Sequence, residues 1–207
     1  RELRLAQALA DQAAVASENA WLYLATQQAQ RRAEILREAN LSLTRSLNLE
    51  DVLRTSLDAL GGLIAYDRAE VLLLDDSSRV TLWVGLSSRE QGAELARVDG
   101  RSFGLDEYPY LSEMMATRQS RLVPCTREVS AWREWIGEQA PAQMCWIGVP
   151  LVAGERVIGM FSMESGQPGR FGAEHLQLAE VMATQAAVAI HNAQLFEAER
   201  AARTQAE

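Results

Sequence analysis

One stretch of nineteen residues occurs twice in this 207-residue chain, and that limits the possible folds more than any other feature. Leu5 to Tyr23 reads LAQALADQAAVASENAWLY, and Leu178 to Phe196 reads LAEVMATQAAVAIHNAQLF. Aligned from Leu5 on Leu178, eleven of the nineteen pairs are identical. Shared alanine content explains part of the match. It does not explain why Gln12, Val15, Asn19 and Leu22 fall in register on Gln185, Val188, Asn192 and Leu195. The repeat predicts the last helix of one domain followed by a full copy of that domain, a tandem array cut within a repeat. On this reading residues 1–46 are the preceding terminal helix and a connecting helix. Residues 47–196 are the domain, and 197–207 begin an outgoing helix.

Periodicity supplies the elements. Residues 1–46 hold no Gly or Pro and are rich in Ala, Leu, Gln, Glu and Arg, a strongly helical composition. Asn48, three residues before Asp51, caps a second helix that reaches about Leu63. Arg68–Leu74 and Val80–Val84 are strands around the turn-prone run Asp75-Asp76-Ser77-Ser78. Residues 86–107 are Gly- and polar-rich with little periodicity. Tyr108–Thr117 reads helical, Ser120–Thr126 extended and Val129–Gly137 weakly helical. Met144–Val152 and Arg156–Glu164 flank Ala153-Gly154-Glu155 as a hairpin, and a helix runs from about Ala173 to the end. The order predicts an α+β fold, with a central antiparallel sheet and long N- and C-terminal helices on one face. Pro150 within a strand implies an edge or a bulge, because it cannot donate to a ladder. Gly159 in the partner strand implies a close backbone approach.

Composition removes several functions. The net charge of −8 argues against nonspecific nucleic-acid binding, which needs cations in place of phosphate counterions. All twenty basic residues are Arg, which excludes a Schiff-base or P-loop lysine. Gly85, Gly92, Gly100 and Gly104 do not make a nucleotide-binding loop. Cys125 and Cys145 are too few for a disulfide framework or a zinc site. No apolar run approaches the roughly twenty residues that span a bilayer, and no signal segment opens the chain. A cytoplasmic location without membrane contact is expected of this segment, and it reads as a piece of a longer polypeptide.

The run WIGVPLVAGERVIGMFSMES, followed by FGAEHLQLAEVMATQAAVAIHNAQLF, resembles the C-terminal half of a GAF domain. That half has an apolar strand ending in Val-Pro-Leu and a tight turn. A strand ending in Gly-x-apolar-Ser follows, and then a helix ending in Ala-x-x-Asn-Ala. The resemblance covers about residues 49–196 and is densest from Ile147 onward. Gly172 departs from it, standing where the family has a Ser or Thr helix cap. The resemblance implies a GAF/PAS-like fold and a non-catalytic sensor module of a bacterial signalling protein. Its output domain, such as a histidine kinase, a cyclic-dinucleotide enzyme or a phosphatase, would lie outside this segment. A second implication is a small redox enzyme of the same fold, a free methionine sulfoxide reductase using Cys125 and Cys145. The repeat favours the sensor, since a stand-alone enzyme has no use for the last helix of another copy.

The candidate ligand pocket is aromatic. Trp132, Trp135 and Trp146 crowd together with Met144 and Cys145, Trp83 lies on a neighbouring strand, and Cys125 precedes them. Core packing uses the same residues, so both readings stay open at this point. His175 and His191 are sixteen positions apart on the last helix, too far for a shared metal, and Glu18 stands at the repeat position of His191. No metal site is expected. The resemblance includes bilin-carrying members whose Cys lies near a His; neither cysteine here has one beside it, so no covalent bilin or haem is expected, and the identity of any small ligand is open.

The last expectation is a parallel homodimer through the terminal helices. Leu178, Val181, Gln185, Val188, Asn192 and Leu195 form one stripe, and Met182, Ala186, Ala189, Ala193 and Phe196 form another beside it. One stripe covers the sheet, and the other needs a partner. The first helix repeats both. Polar rods beyond the core, Ala25–Ala39 and Ala198–Glu207, would carry the signal.

Overall fold

The computed structural model describes residues 2–75, 79–86, 94–128 and 144–206. The chain divides into two compact units, Arg1–Glu38 and Ala39–Glu207. The first is the greater part of helix α1 (Glu2–Leu43). Its residues from Asp11 to Arg31 are exposed, Val15, Trp21, Leu22, Tyr23 and Leu24 among them.

The second unit contains the last turns of α1, α2 (Leu49–Leu63), α3 (Pro109–Thr117) and α4 (Ala173–Ala206). Its six strands are β1 (Arg68–Leu74), β2 (Arg79–Leu86), β3 (Glu94–Gly104), β4 (Arg121–Val123), β5 (Cys145–Ala153) and β6 (Arg156–Ser165). They form one antiparallel sheet in the order β3-β2-β1-β6-β5-β4. This is the α+β fold with a central antiparallel sheet that the element order predicts. Ala39 and Leu43, upstream of the expected start at residue 47, are buried in it. The run from 86 to 107, which lacks visible periodicity, contributes the long edge strand β3. Its alternation is interrupted by a bulge opposite Thr81 and Trp83. The segment expected to be weakly helical, 129–137, lies outside the described residues.

Local chemistry sets the element ends. The Asn48 side chain accepts a hydrogen bond from the Asp51 amide at 3.0 Å, satisfying one free donor of the first turn of α2. Gly154 turns the β5–β6 hairpin at φ 62°, a conformation that suits glycine. Pro150 pairs with Met160 on β6, and β4 reaches only as far as Gly148. The proline therefore occupies a locally bare edge, next to a bulge at Leu151 and Val152. A methyl group on Gly159 would fall on the Leu72 carbonyl oxygen, so β1 and β6 meet there as closely as backbones allow.

The two sheet faces bury different things. Residues alternating through Val71, Leu73, Ile147, Val149, Leu151, Phe161 and Met163 are buried toward α2 and α4. α4 packs on β5, β6 and α2 and buries Ala179, Met182, Ala183, Ala186, Ala187, Ile190 and Ala193, mostly small residues that allow close approach. The opposite face carries Leu72, Val80, Trp146 and Met160, packed with Leu111, Met114 and Met115 of α3.

Candidate functional site

On the α3 face the sheet is not uniformly apolar. Antiparallel register sets Arg68 opposite Glu164 and Glu70 opposite Ser162, and Glu164 faces Trp146 on β5. By pleat parity these side chains share the face that carries Leu72 and Met160. Arg68 and Glu70 form an ion pair, with Glu70 buried and Arg68 partly open. Glu164 is only partly accessible. Burial and the neighbouring Glu70 carboxylate push its pKa up to about 7, against the opposing pull of Arg68. One guanidinium thus faces two carboxylates, one of which changes charge near neutrality. The Arg68 Nε is buried without a hydrogen-bond partner, so this floor retains an unused donor.

Trp146 roofs part of this floor. It is fully buried, and its indole Nε1–H donates to Ser162 Oγ at 2.9 Å. Its ring lies across Gly148, where a methyl group would collide with the indole. Tyr110 of α3 packs near it at 6.1 Å between ring centroids, and desolvation raises the Tyr110 pKa. Met144 belongs to the same cluster; its backbone exchanges hydrogen bonds with Thr126, amide to Oγ1 at 3.1 Å and carbonyl to amide at 2.8 Å.

The remaining candidate residues are not gathered there. Cys145 faces the other side of the sheet, where its Sγ accepts from the Phe171 amide at 3.3 Å just before α4. Cys125 is half-buried beside Thr126. Trp132 and Trp135, and the side chain of Trp83, lie outside the described residues; the backbone pairs Trp83 with Val71. Of the seven residues proposed from sequence, Trp146 and Met144 are shown together. Arg68, Glu70, Ser162 and Glu164 did not stand out in the sequence reading. Their signal was available as polar residues two apart on otherwise apolar strands, at 68 and 70 and again at 162 and 164.

The profile of the GAF domain family matches residues 46–191. The chain belongs to the GAF domain family. No match was found among curated protein sequences. Solved structures agree on the fold. The GAF domain of an Acinetobacter phosphoenolpyruvate-protein phosphotransferase superposes with a TM-score of 0.64 at 18% identity, covering 79% of this chain and 94% of that one. The phycocyanobilin-bound GAF domain of a cyanobacterial phytochrome gives 0.62 at 15% identity, with 79% and 96% covered. The free methionine-R-sulfoxide reductase of Neisseria meningitidis, in complex with its substrate, gives 0.60 at 13% identity, with 79% and 90% covered. GAF domains serve commonly as sensory modules of signalling proteins. Among the described residues, no helix is long and apolar enough to cross a membrane and no cluster of ligating side chains could hold a metal.

This GAF domain has a second distinctive surface on the outer side of α4. Met182, Ala186, Ala189 and Ala193 are buried, while Val181, Val188 and Leu195 are exposed, with Phe196 and Asn192 beside them. Leu178 and Gln185 are partly covered. A groove of about 310 Å³ runs between α4 and the α1–α2 connection, lined in part by Leu43, Leu47, Gln185, Val188 and Asn192. The Gln185 Oε1 is buried there with no hydrogen-bond partner. A buried acceptor without a donor costs about 1–3 kcal/mol, so this position favours an incoming N–H or O–H.

Proposed function

We propose that this GAF domain is a regulatory sensor that binds a small ligand on the α3 face of its sheet. It dimerises through the outer stripe of α4 and passes changes along its long helices to an output domain. The observation that carries the proposal is the exposed row Val181, Val188 and Leu195 on a helix whose opposite side is sealed against the sheet. Solvent gains nothing from such a row, whereas a partner helix buries it at about 25 cal/mol per Å². Gln185 and Asn192 interrupt the row at the spacing at which polar residues fix helix register, and a partner amide would complete Gln185 Oε1. A ligand that rearranges α3 or the Arg68–Glu70–Glu164 floor acts on the same sheet that α4 covers. It could therefore bias the rotation or register of the paired helices.

For the ligand, the floor supports a small molecule with an acceptor for Arg68 Nε and donors for the carboxylates. The reductase alternative would need a reachable attacking thiolate. Cys145 is fully buried beneath Phe171, which supports a packing role for it. We further propose a cytoplasmic setting and a parent with a histidine-kinase-like or cyclic-dinucleotide output.

Sedimentation at micromolar concentration tests the central claim. The chain should sediment as a dimer, and Val188→Glu should yield a folded monomer. A wild-type monomer at tens of micromolar would remove the dimeric sensor. Reduction of free methionine sulfoxide that is lost in Cys145→Ser would install the enzyme instead.

A further inference from the structure

We infer that residues 5–23 of α1 are the closing helix of a second GAF fold earlier in the polypeptide, and that the sheet of that fold occupies the alanine face of this segment. The inference does not rest on the ligand proposal. In α4, the segment matching the repeat has eight buried positions: Ala179, Met182, Ala183, Ala186, Ala187, Ala189, Ile190 and Ala193. Six of these are alanines that recur at the same places in α1, and Met182 is replaced by Leu9. The identical residues therefore concentrate at the positions that are buried when the helix covers a GAF sheet. Four of the alanines can be compared directly. Ala13, Ala14, Ala16 and Ala20 are exposed, whereas Ala186, Ala187, Ala189 and Ala193 are buried in the domain, on a helix that packs on β5, β6 and α2.

The outer surface repeats as well. A hollow on α1 is lined by Asp11, Gln12, Val15, Ala16 and Asn19. Each of the five is the repeat counterpart of a residue lining the α4 groove: Thr184, Gln185, Val188, Ala189 and Asn192. A helix selected only for association would preserve the outer row and not the small-residue face. Both are preserved, as a helix with a sheet on one side and a partner on the other requires. The sheet of a second copy of this chain cannot be the occupant, since its own α4 already covers that face.

Two experiments test this. The first grafts the α1 segment onto α4 while retaining Ile190: Glu180→Gln, Val181→Ala, Met182→Leu, Thr184→Asp, His191→Glu, Gln194→Trp and Phe196→Tyr together. The graft should unfold in one cooperative transition, with its midpoint lowered by no more than about 10 °C. Loss of the folded state would overturn the inference, provided the same graft lacking Gln194→Trp is also unfolded. The second uses the polypeptide as its source makes it, carrying Cys125→Ser. Maleimide should label Ala13→Cys and Ala20→Cys at least roughly tenfold more slowly than Asp11→Cys. Equal rates would overturn the inference. So would protection that disappears when Val188→Glu separates the copies, because the occupant would then be a second chain.

Discussion

Replacing Glu164 by Gln isolates the strongest electrostatic consequence of the polar floor. Its carboxyl is raised from 4.5 to about 7 by burial and by Glu70, outweighing Arg68. A raised folded-state pKa means that folding prefers the protonated acid. The contribution of Glu164 is then most favourable below pH 4.5, is lost as pH rises from 4.5 to 7, and is flat above that. The full interval corresponds to about 3 kcal/mol at 1.36 kcal/mol per unit. Residual solvent access and relaxation reduce it, so about 1–3 kcal/mol is the expected size. Glutamine keeps the shape of the neutral acid and cannot ionise. Urea unfolding across pH 4.5–8.5 should show Glu164→Gln equal to wild type at the acid end and about 1–3 kcal/mol more stable at pH 8. A difference that stays constant with pH would refute the reasoning, as would a variant less stable than wild type at pH 8.

Substitutions at three further positions probe the frame of the domain. Gly159→Ala pushes a methyl group into the Leu72 carbonyl, where neither backbone can yield without opening the β1–β6 ladder; a loss of about 3 kcal/mol or more in chemical denaturation is expected. Ser162→Ala removes the acceptor of the buried Trp146 Nε1–H and should cost about 1–3 kcal/mol, with a shift in tryptophan fluorescence. Asn48→Ala removes the α2 cap and should cost about 1 kcal/mol, while Asn48→Asp should retain most of the stability, as thermal melts of the pair would report.

The parts of the fold legible in the sequence were those in which local chemistry and tertiary packing agree. The β5–β6 hairpin carries its own turn, the α2 cap is a side chain next to the helix it caps, and Pro150 and Gly159 mark backbone geometry that few other residues permit. β3 was hidden because the strand meets its neighbour across a bulge, which breaks the period of two that identifies strands. Face membership within the candidate pocket was hidden for a related reason. Cys145 and Trp146 are adjacent in sequence, yet successive strand residues point to opposite faces, so proximity along the chain separated them in space. Continuous apolar runs in β1, β5 and β6 conceal which residue belongs to which face, because both faces are buried. Only the pairing register reveals that Arg68, Glu70, Ser162 and Glu164 converge.

On the sensor reading proposed above, one sheet serves two tasks. The face toward α4 is apolar and closed by alanines, so it transmits displacement as a packed solid does, with little room to absorb it. The face toward α3 holds charges that neutralise one another incompletely, so its energy responds to protons, and on the proposed reading to a polar ligand. Strands β1 and β6 carry both sets at alternate positions, one residue apart. A change in the charge or occupancy of the floor is thus felt within a single backbone thickness of the helix. That helix in turn presents its exposed Val181, Val188 and Leu195 outward, and any rotation forced on it by the sheet must be accommodated by whatever covers that row.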